Sequence, residues 1–470
     1  RLQGLQGPVI STRGIAALLV LGACSSAPPD AMPRTPTAEA APPGEVADAS
    51  VDDAAVIDAV AMLPVLTVPA GALDGLHLAL DRAEAAAADG RALVMVFGDS
   101  HTAGDQFTGT LRRGLGARFG FGGRGLVGPG KPPIRHYYLR DVAYGATGKW
   151  KAELGGKRDN VEPFGLTGTR VYSEDKKAST WVATCATCPV DKVARFDVFH
   201  LRSPSSGALS YQVDDGPWTK VATRLVGATR PEVLSIPVAD GAHKLTLKPA
   251  GGGPVQLFGV ALERTGPGVV VDALGVVGRR LAHLRSWDWS VIGPQITARA
   301  PALVVLQYGT NEADDPTLDL SVLATAYDDV IARVRAAAPT ASILILGPPD
   351  MGERDAGAAC DKLRPPPDAD AGVPFECQWH TPAILPLVVD VQRQAAARNR
   401  VAFFDSFAAM GGGNLMDTFF HADPPLAYSD HVHFSQAGYD HWGQLVLRAL
   451  LDDHARWKAT AAPARSTGTP

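Results

Sequence analysis

The chain of 470 residues is 46% hydrophobic and 20% charged, a globular composition that can bury a sizeable core and is too long for one ordinary domain. A formal net charge of −5 without long like-charge blocks argues against a nucleic-acid-binding surface, and leaves glycan, small-molecule and protein partners open. We therefore expect two folded units with tails.

The first 50 residues have the features of an export signal followed by a linker. Two arginines precede an apolar run at 15–23 that is too short to span a bilayer. The run ends in Leu-Gly-Ala-Cys24, which resembles the lipobox of bacterial lipoproteins and implies a lipidated Cys24 that holds the protein at a membrane. Ser25 implies sorting to the outer membrane, facing the periplasm or the cell surface. We assign residues 1–24 to this signal or lipoprotein segment, with an ordinary cleaved signal peptide and an incidental cysteine as the alternative. The Ala- and Pro-rich residues 25–50 predict a disordered tether.

Short apolar runs predict buried parallel strands at 92–98, 268–275, 302–309, 342–347 and 401–405. Helical patterns lie between them, one marked by the spacing of Leu323, Tyr327, Val330 and Val334 and another over 381–400. The βαβα order predicts an α/β fold with a doubly wound parallel sheet, whose functional residues lie at the carboxyl ends of the strands. We assign residues 72–137 and 265–455 to the two parts of this domain, and residues 456–470 to a disordered tail.

Residues 138–264 have a different pattern. Short alternating runs such as "RFDVFHLR" and "HKLTLKPA" are separated by Asp-Gly and Gly-Gly turn signals, which predict an all-β sandwich. Because α/β segments flank this region on both sides, we expect the sandwich to be an insertion. Trp150, Trp181 and Trp218 within it could stack on sugar rings, but the favoured interpretation places them in the core.

The cysteines other than Cys24 are even in number, as suits disulfides in an exported protein. A pair between Cys360 and Cys377 would close a Pro- and Asp-rich loop. Cys185 and Cys188 could form a local disulfide, a redox pair or half of a zinc site. The disulfide is favoured because no second Cys or His pair has matching spacing.

Chemistry is expected where the first buried strand ends, in "VFGDSH". Gly98 permits a sharp turn there and places Ser100 at the rim of the sheet. A serine nucleophile needs a base, and the base needs an orienting acceptor. Near the C-terminus, "YSDHVHF" carries Asp430 and His433 three residues apart, close enough to share one loop.

Oxyanion donors are expected after the next two strands. "LGVVG" supplies Gly278, with Gly275 as the competing glycine, and "GTNE" supplies the side-chain amide of Asn311. Each of these motifs is weak evidence alone. Four of them in chain order, all at strand ends of one predicted sheet, form a specific pattern.

These four motifs resemble the blocks of the SGNH/GDSL hydrolase superfamily. The resemblance implies a flavodoxin-like SGNH fold, with Ser100, His433 and Asp430 as the catalytic triad. It also implies an oxyanion hole formed by the backbone N–H groups of Ser100 and Gly278 and the amide of Asn311. "GDSH", "YGTNE" and "MGGGNLM", together with a carbohydrate-binding-module-like insertion, resemble more narrowly the bacterial peptidoglycan O-acetylesterase branch.

The resemblance implies an exported serine esterase that removes O-acetyl groups from an envelope polysaccharide such as peptidoglycan. Alternatives are an O-acyltransferase with the same triad, a general lipase or thioesterase, and a non-catalytic glycan-binding envelope protein. The sequence contains no Walker loop, dinucleotide fingerprint or metal-ligand cluster, so we expect no cofactor.

Four further polar residues lie close to these motifs. We expect His431 to support the loop beside Asp430 rather than to act as the base. His101 either lines the pocket or makes a local hydrogen bond. Asp99 and Asp105 are expected to order the turn around Ser100 rather than to transfer protons.

Overall fold

The computed structural model describes residues 65–133, 139–156, 163–354 and 378–466, which belong to one compact unit. Cys24, Cys360 and Cys377 lie outside the described residues, as do the predicted signal and tether. Within these ranges, no helix combines the length and the apolar character needed to cross a membrane.

The secondary structure alternates between α/β and all-β stretches. The strands are β1 (Leu66–Thr67), β2 (Arg91–Gly98), β3 (Gly123–Val127), β4 (Ala143–Thr147), β5 (Lys151–Leu154), β6 (Thr169–Ser173), β7 (Ser179–Ala183), β8 (Val193–Arg202), β9 (Ala208–Val213), β10 (Thr219–Ala222), β11 (Arg230–Gly241), β12 (Lys244–Pro249), β13 (Val255–Glu263), β14 (Gly268–Gly275), β15 (Leu303–Gln307), β16 (Ser342–Leu346) and β17 (Ala402–Phe404). The helices are α1 (Asp74–Glu84), α2 (Ser100–Ala103), α3 (Phe107–Phe119), α4 (Leu281–Ser286), α5 (Trp289–Arg299), α6 (Thr310–Ala313), α7 (Leu320–Ala337), α8 (Leu385–Asn399), α9 (Ser406–Ala409), α10 (Met416–His421) and α11 (Gln436–Ser466).

A six-stranded sheet in the order β1-β17-β16-β15-β2-β14 forms the centre of the α/β part. All neighbours are parallel except β1 and β17. Both faces of β2 are buried: Met95 and Phe97 pack with α5, α7 and α8, whereas Val94 and Val96 pack with α1, α3 and α11. Burial on both faces explains why these strands are continuous apolar runs.

Two antiparallel sheets, β10-β9-β12-β7-β4 and β11-β8-β13-β6-β5, lie between the two α/β segments in sequence. They enclose one apolar cluster, to which Val182 and Leu245 contribute from the first sheet and Val198 and Val260 from the second. Strand β3, which the sequence analysis assigned to the first α/β segment, pairs with β13. The antiparallel sheets therefore recruit a strand from outside residues 138–264.

A buried ionic cluster joins the antiparallel sheets to the α/β part. The guanidinium of Arg299, at the end of α5, is within 2.8 Å of Asp272 on β14 and also pairs with Glu263 on β13. Arg91 donates to the same Glu263 at 3.0 Å. Each of these carboxylates therefore has a cationic partner despite its burial.

The C-terminal segment differs from its prediction. Residues 456–470 were expected to be a disordered tail, but helix α11 continues to Ser466. Trp457 Nε1 donates to Asp74 at 3.0 Å, and Lys458 Nζ donates to Glu84 at 2.7 Å. These contacts with α1 hold a stretch that has little apolar pattern of its own.

Candidate active site

Three neighbouring strands of the central sheet end at the same level. Gly98 of β2 is in register with Gly275 of β14 on one side and with Gln307 of β15 on the other. A Cβ atom at Gly98 would lie 2.6 Å from the Gln307 side-chain oxygen, so glycine is required at this crowded rim. The segments that follow these strands all begin at one edge of the sheet, where ligands bind in open α/β folds.

Ser100 is the first residue of α2, directly after β2. The Asp99 carboxylate caps this helix by accepting the His101 backbone N–H at 2.9 Å. Asp99 is fully buried, and this burial raises its pKa to about 7. Gly275 packs directly against this turn, since a Cβ there would lie 2.6 Å from the Asp99 carbonyl oxygen.

The loop between α10 and α11 brings His433 to Ser100. His433 Nε2 lies 2.9 Å from Ser100 Oγ, and His433 Nδ1 lies 2.8 Å from Asp430 Oδ2. Asp430 also accepts the backbone N–H groups of Val432 and His433 through its other oxygen, at 3.0 and 2.9 Å. The structure thus joins residues 333 positions apart in sequence into one hydrogen-bonded chain.

The contacts among these three side chains favour a charged Asp430 beside His433. The hydrogen bond with Asp430 raises the pKa of His433 above its ordinary value of 6.5, although partial burial opposes this. Burial opposes ionisation of Asp430, but the hydrogen bonds from His433 and Val432 outweigh it and hold the Asp430 pKa well below its usual range. The side chains remain 36% and 50% exposed, so solvent reaches the pair.

Asn311 lies beside the loop that follows β14. Its Nδ2 donates to the carbonyl oxygen of Arg279, the residue after Gly278, at 3.2 Å. Gly278 adopts a left-handed backbone conformation, with φ +69°, and the space where a side chain would begin is open. The motif "LGVVG", which carries Gly278, and the motif "GTNE", which carries Asn311, are therefore adjacent in the structure.

Glu312 is a site residue that the sequence analysis missed. Its carboxylate accepts the Gly309 N–H at 3.0 Å and the Leu281 N–H at 2.8 Å, so it ties together the loops that carry Asn311 and Gly278. The side chain is 1% exposed, and this burial raises its pKa. The signal was present in the motif "GTNE", but the partner at Leu281 depends on tertiary structure.

The structure gives the neighbouring histidines different environments. His101 is buried, its Nδ1 lies 2.8 Å from the hydroxyl of Tyr439 on α11, and its ring lies 5.3 Å from that of His433. The His431 ring stacks on Trp379 at a centroid distance of 3.8 Å, and its Nε2 lies 2.9 Å from Asp417. His431 is thus a support of the loop.

Asp105 lies in a buried ionic cluster. Its carboxylate accepts hydrogen bonds from the guanidinium groups of Arg112 at 2.7 Å and Arg124 at 2.6 Å, and its backbone φ is +50°. Despite burial, the two guanidinium groups hold the pKa of Asp105 below its usual value. This environment fits a residue that orders the turn after α2.

The remaining candidates lie in the antiparallel sheets. Cys185 and Cys188 form a disulfide. Trp150 is 6% exposed and contributes to the core, as expected. The core assignment is wrong for Trp218, which is 41% exposed because it lies at a hairpin on the outer side of its sheet, and Trp181 is only partly buried.

Among the described residues, no group of three or more His, Cys, Asp or Glu side chains is arranged to hold a metal ion. The site described above can act chemically through its hydroxyl, imidazole and carboxylate groups. These are the components of acyl transfer through a serine nucleophile.

Comparisons with known proteins identify a similar family and a shared fold. Residues 240–441 match the model of the GDSL-like lipase/acylhydrolase family. A structure of a peptidoglycan O-acetylesterase is similar over 83% of this chain and 99% of that chain, with 24% identity and a TM-score of 0.66, which shows a shared fold. An active-site mutant of a family two carbohydrate esterase from Clostridium thermocellum matches over 60% of this chain and 93% of that chain, with 14% identity and a TM-score of 0.25, too low to support a conclusion.

A search of curated protein sequences finds no significant match. The family match begins in β11, so Ser100 lies outside the matched range and is brought to it by the fold. The predicted resemblance to the SGNH/GDSL hydrolases is confirmed by the family model and the shared fold. Residues 240–441 therefore match the GDSL-like lipase/acylhydrolase family, the chain has the SGNH hydrolase fold, and the protein is a hydrolase of ester bonds.

Proposed function

We propose that the protein hydrolyses esters through a Ser100-His433-Asp430 triad. The observation that carries this proposal is the continuous chain of hydrogen bonds from Asp430 through His433 to Ser100, with distances of 2.8 and 2.9 Å. The order is the one that nucleophilic catalysis requires: nucleophile, base and orienting carboxylate.

In the first step, Ser100 Oγ attacks the ester carbonyl carbon while His433 Nε2 takes the hydroxyl proton. The tetrahedral intermediate collapses, the bond to the leaving oxygen breaks, and His433 returns the proton to that oxygen. In the second step, His433 removes a proton from water, which attacks the acyl carbon. The bond from that carbon to Ser100 Oγ then breaks, His433 returns the proton to Oγ, and the acid is released. Asp430 orients the imidazole and stabilises its charged form throughout.

The negative oxygen of the intermediate needs hydrogen-bond donors. The N–H of Ser100 lies in the first turn of α2, where helix N–H groups have no partner within the helix. The Asn311 amide has two hydrogens, one of which is donated to Arg279, so the other is available for substrate. We assign these donors and the Gly278 N–H to the oxyanion hole.

We propose an O-acetylated envelope polysaccharide, with peptidoglycan foremost, as the substrate. The shared fold with a peptidoglycan O-acetylesterase supports this choice. The exposure of His433 and Asp430, at 36% and 50%, supports hydrolysis over acyl transfer to a sugar, because water reaches the base directly. The products are acetate and a free sugar hydroxyl.

We further propose that the protein is exported and attached to the outer membrane through a lipidated Cys24. The apolar run and the Leu-Gly-Ala-Cys sequence support this location. In the same proposal, the central sheet is the doubly wound sheet of an SGNH hydrolase. The two antiparallel sheets are an inserted sandwich, supported by their shared apolar cluster.

The proposal is tested by incubating the purified protein with O-acetylated peptidoglycan and measuring acetate, with and without a soluble sugar acceptor. We expect free acetate in both reactions and none with Ser100→Ala. Acetylated sugar in place of acetate would identify a transferase instead. Failure to release acetate from peptidoglycan, despite turnover of a small aryl acetate, would reject the substrate but keep the triad.

A further inference from the structure

The loop that follows β14 forms a tight turn. The N–H of Val276 donates to the carbonyl oxygen of Gly98 on β2 at 2.9 Å, and the N–H of Arg279 donates to the carbonyl oxygen of Val276 at 3.1 Å. Residues 276–279 therefore form a β-turn with Gly278 at the third position, where its φ is +69°. The hydrogen bond that closes such a turn does not use the N–H of the third residue, so the Gly278 N–H can donate to a ligand.

Arg279 is the residue at which this turn meets the antiparallel sheets. Its Nε donates to the carbonyl oxygen of Gly155, the residue after β5, at 2.7 Å. Its Nη1 donates to the carbonyl oxygen of Gly278 at 3.3 Å. Its own carbonyl oxygen accepts the side-chain amide of Asn311 at 3.2 Å. One residue thus contacts the antiparallel sheets and both residues that are assigned to the oxyanion hole with Ser100.

The turn and the chain beside β5 and β6 pack closely because glycines lie between them. A Cβ at Gly168 would overlap Val276 Cγ2, and a Cβ at Gly156 would lie 2.9 Å from Arg279 Nε. Both glycines also have a positive φ, of +64° and +75°. The N–H of Gly155 donates to the carbonyl oxygen of Gly168 at 2.8 Å. This close packing places the Gly155 carbonyl within reach of the guanidinium.

The α/β part holds the residues that follow the turn. Arg280 Nη1 lies 2.7 Å from Asp315, and the N–H of Leu281 donates to Glu312 at 2.8 Å. These contacts fix the chain after Arg279, whereas the Arg279 guanidinium fixes the turn from the side of the antiparallel sheets. A charged donor makes stronger hydrogen bonds to carbonyl oxygens than a neutral donor does, which suits this role.

We propose that Arg279 is a positioning residue that fixes the oxyanion hole by holding the 276–279 turn to Gly155. It thereby places the Gly278 N–H and the Asn311 amide where the negative oxygen forms. The antiparallel sheets are then part of the ester site, because they supply the acceptor that anchors the turn. A small displacement of these donors would slow the chemical step more than it weakens substrate binding. The inference rests on the proposed function, which assigns the two donors.

The test compares variants of the full chain. Arg279→Met keeps the aliphatic stem but removes every donor, and Arg279→Lys keeps the charge. Arg264→Met is the control, because Arg264 lies before the amino end of β14 and pairs there with Asp240 at 2.8 Å. The two changes at position 279 are also made in an Asn311→Ala background. The measurements are kcat and KM for a small aryl acetate, the melting temperature, and hydrogen exchange of the segment 276–281.

We expect Arg279→Met to lower kcat by about 10²-fold while KM and the melting temperature change little. Arg279→Lys should retain part of the activity, because an ammonium group can reach one carbonyl oxygen but lacks the fork that bridges two. The loss caused by Arg279→Met should be clearly smaller in the Asn311→Ala background, since one of the positioned donors is already absent. Exchange of the segment 276–281 should be faster in Arg279→Met, and Arg264→Met should behave as the wild type.

Normal kcat in Arg279→Met would overturn the proposal, as would an equal loss in the wild-type and Asn311→Ala backgrounds. A lower melting temperature with unchanged kcat would also overturn it, because the arginine would then only stabilise the fold. The same loss in Arg264→Met would show a general effect of arginine removal and would count against it too. Inactivity of the wild type would reject the proposed function, and hydrogen exchange, which needs no turnover, would still decide whether Arg279 holds the turn.

Discussion

The two halves of the candidate active site are built in different ways. The Ser100 half extends from three strands buried on both faces, and the Asp99 side chain that caps its helix is fully buried. The His433 half lies on the loop between α10 and α11, and Asp430 remains 50% exposed. The proposed nucleophile, Ser100, is positioned by the sheet, whereas the proposed base, His433, is positioned by its hydrogen bonds with Asp430 in the same loop.

This difference predicts where the site tolerates change. His431 has a left-handed backbone conformation with φ +53°, which residues other than glycine adopt only rarely. The stack on Trp379 and the hydrogen bond to Asp417 hold it there. Side chains added at the crowded glycines beside Ser100, Gly98 and Gly275, should alter folding and activity together, and changes in the loop should alter activity with little effect on overall stability.

The largest effect is expected from Ser100→Ala. Loss of the nucleophile should lower kcat for ester hydrolysis by at least ~10⁴-fold, because no covalent intermediate can form. The melting temperature should change little, since the hydroxyl is only partly buried. Steady-state turnover of an aryl acetate and a thermal melt test both points, and retained acetate release would reject the nucleophile assignment.

The next comparison is His433→Ala against His431→Ala. The first should reduce turnover by about 10⁴-fold, because it removes the base. The second should cause a clearly smaller loss, because it only releases the loop from Trp379 and Asp417. A larger loss in His431→Ala would exchange the roles of the two histidines, and kcat/KM measured in parallel decides between them.

Asp430→Asn tests whether the Asp430 carboxylate raises the pKa of His433. In the wild type, His433 must be neutral to accept a proton, and its pKa lies above 6.5, so kcat/KM should fall as the pH drops through that raised pKa. The amide cannot stabilise the imidazolium, so the acid-side midpoint should move to lower pH while the plateau falls by about 10³- to 10⁴-fold. An unmoved midpoint would contradict the role of Asp430.

Asn311→Ala tests the proposed oxyanion donor beside the loop that carries Gly278. Removal of one oxyanion donor is expected to lower kcat by about 10²- to 10³-fold with little change in KM. Asn311→Asp is the matched control, because it keeps the size of the side chain but replaces the donor by a negative charge. Near-normal kcat in either variant would show that the oxyanion lies elsewhere.

The smallest effect is expected from Asp99→Asn. The Asn oxygen can still accept the His101 N–H, and burial has already raised the pKa of Asp99 to about 7, so a neutral side chain is close to the native state. Asp99→Ala should instead destabilise the protein by about 1 kcal/mol or more through loss of the helix cap. Chemical denaturation of both variants measures this difference, and equal stability would contradict the capping role.

The strands and catalytic motifs were accessible from sequence because they depend on local pattern. The run 268–275 coincides with β14, since a strand buried on both faces must be apolar throughout. Strand β1, only two residues long, and strand β3, with the sequence Gly-Arg-Gly-Leu-Val, have no such pattern and were missed. Their pairing with β17 and β13 is a property of the folded chain.

The same distinction applies within the site. Ser100, Asn311 and His433 were assigned to the site from the residue types that catalysis requires, and the structure brings Ser100 and His433 within 2.9 Å. The role of Glu312 was not found, because it depends on a hydrogen bond to Leu281, 31 residues earlier in the chain. The stack between His431 and Trp379 likewise joins segments with no pattern that relates them.

The buried guanidinium of Arg299 limits how this protein could be trimmed to a smaller catalyst. Glu263 is the final residue of β13, so excision of residues 139–263 would remove it. Glu263 is one of the two carboxylates that pair with Arg299, and it also pairs with Arg91. Removal of one partner of a buried ion pair typically lowers the free energy of unfolding by about 3–5 kcal/mol, a large part of the stability of an ordinary domain. A shortened enzyme would need an acid restored beside Arg299, because an apolar residue at position 299 would leave the buried Asp272 without its cationic partner.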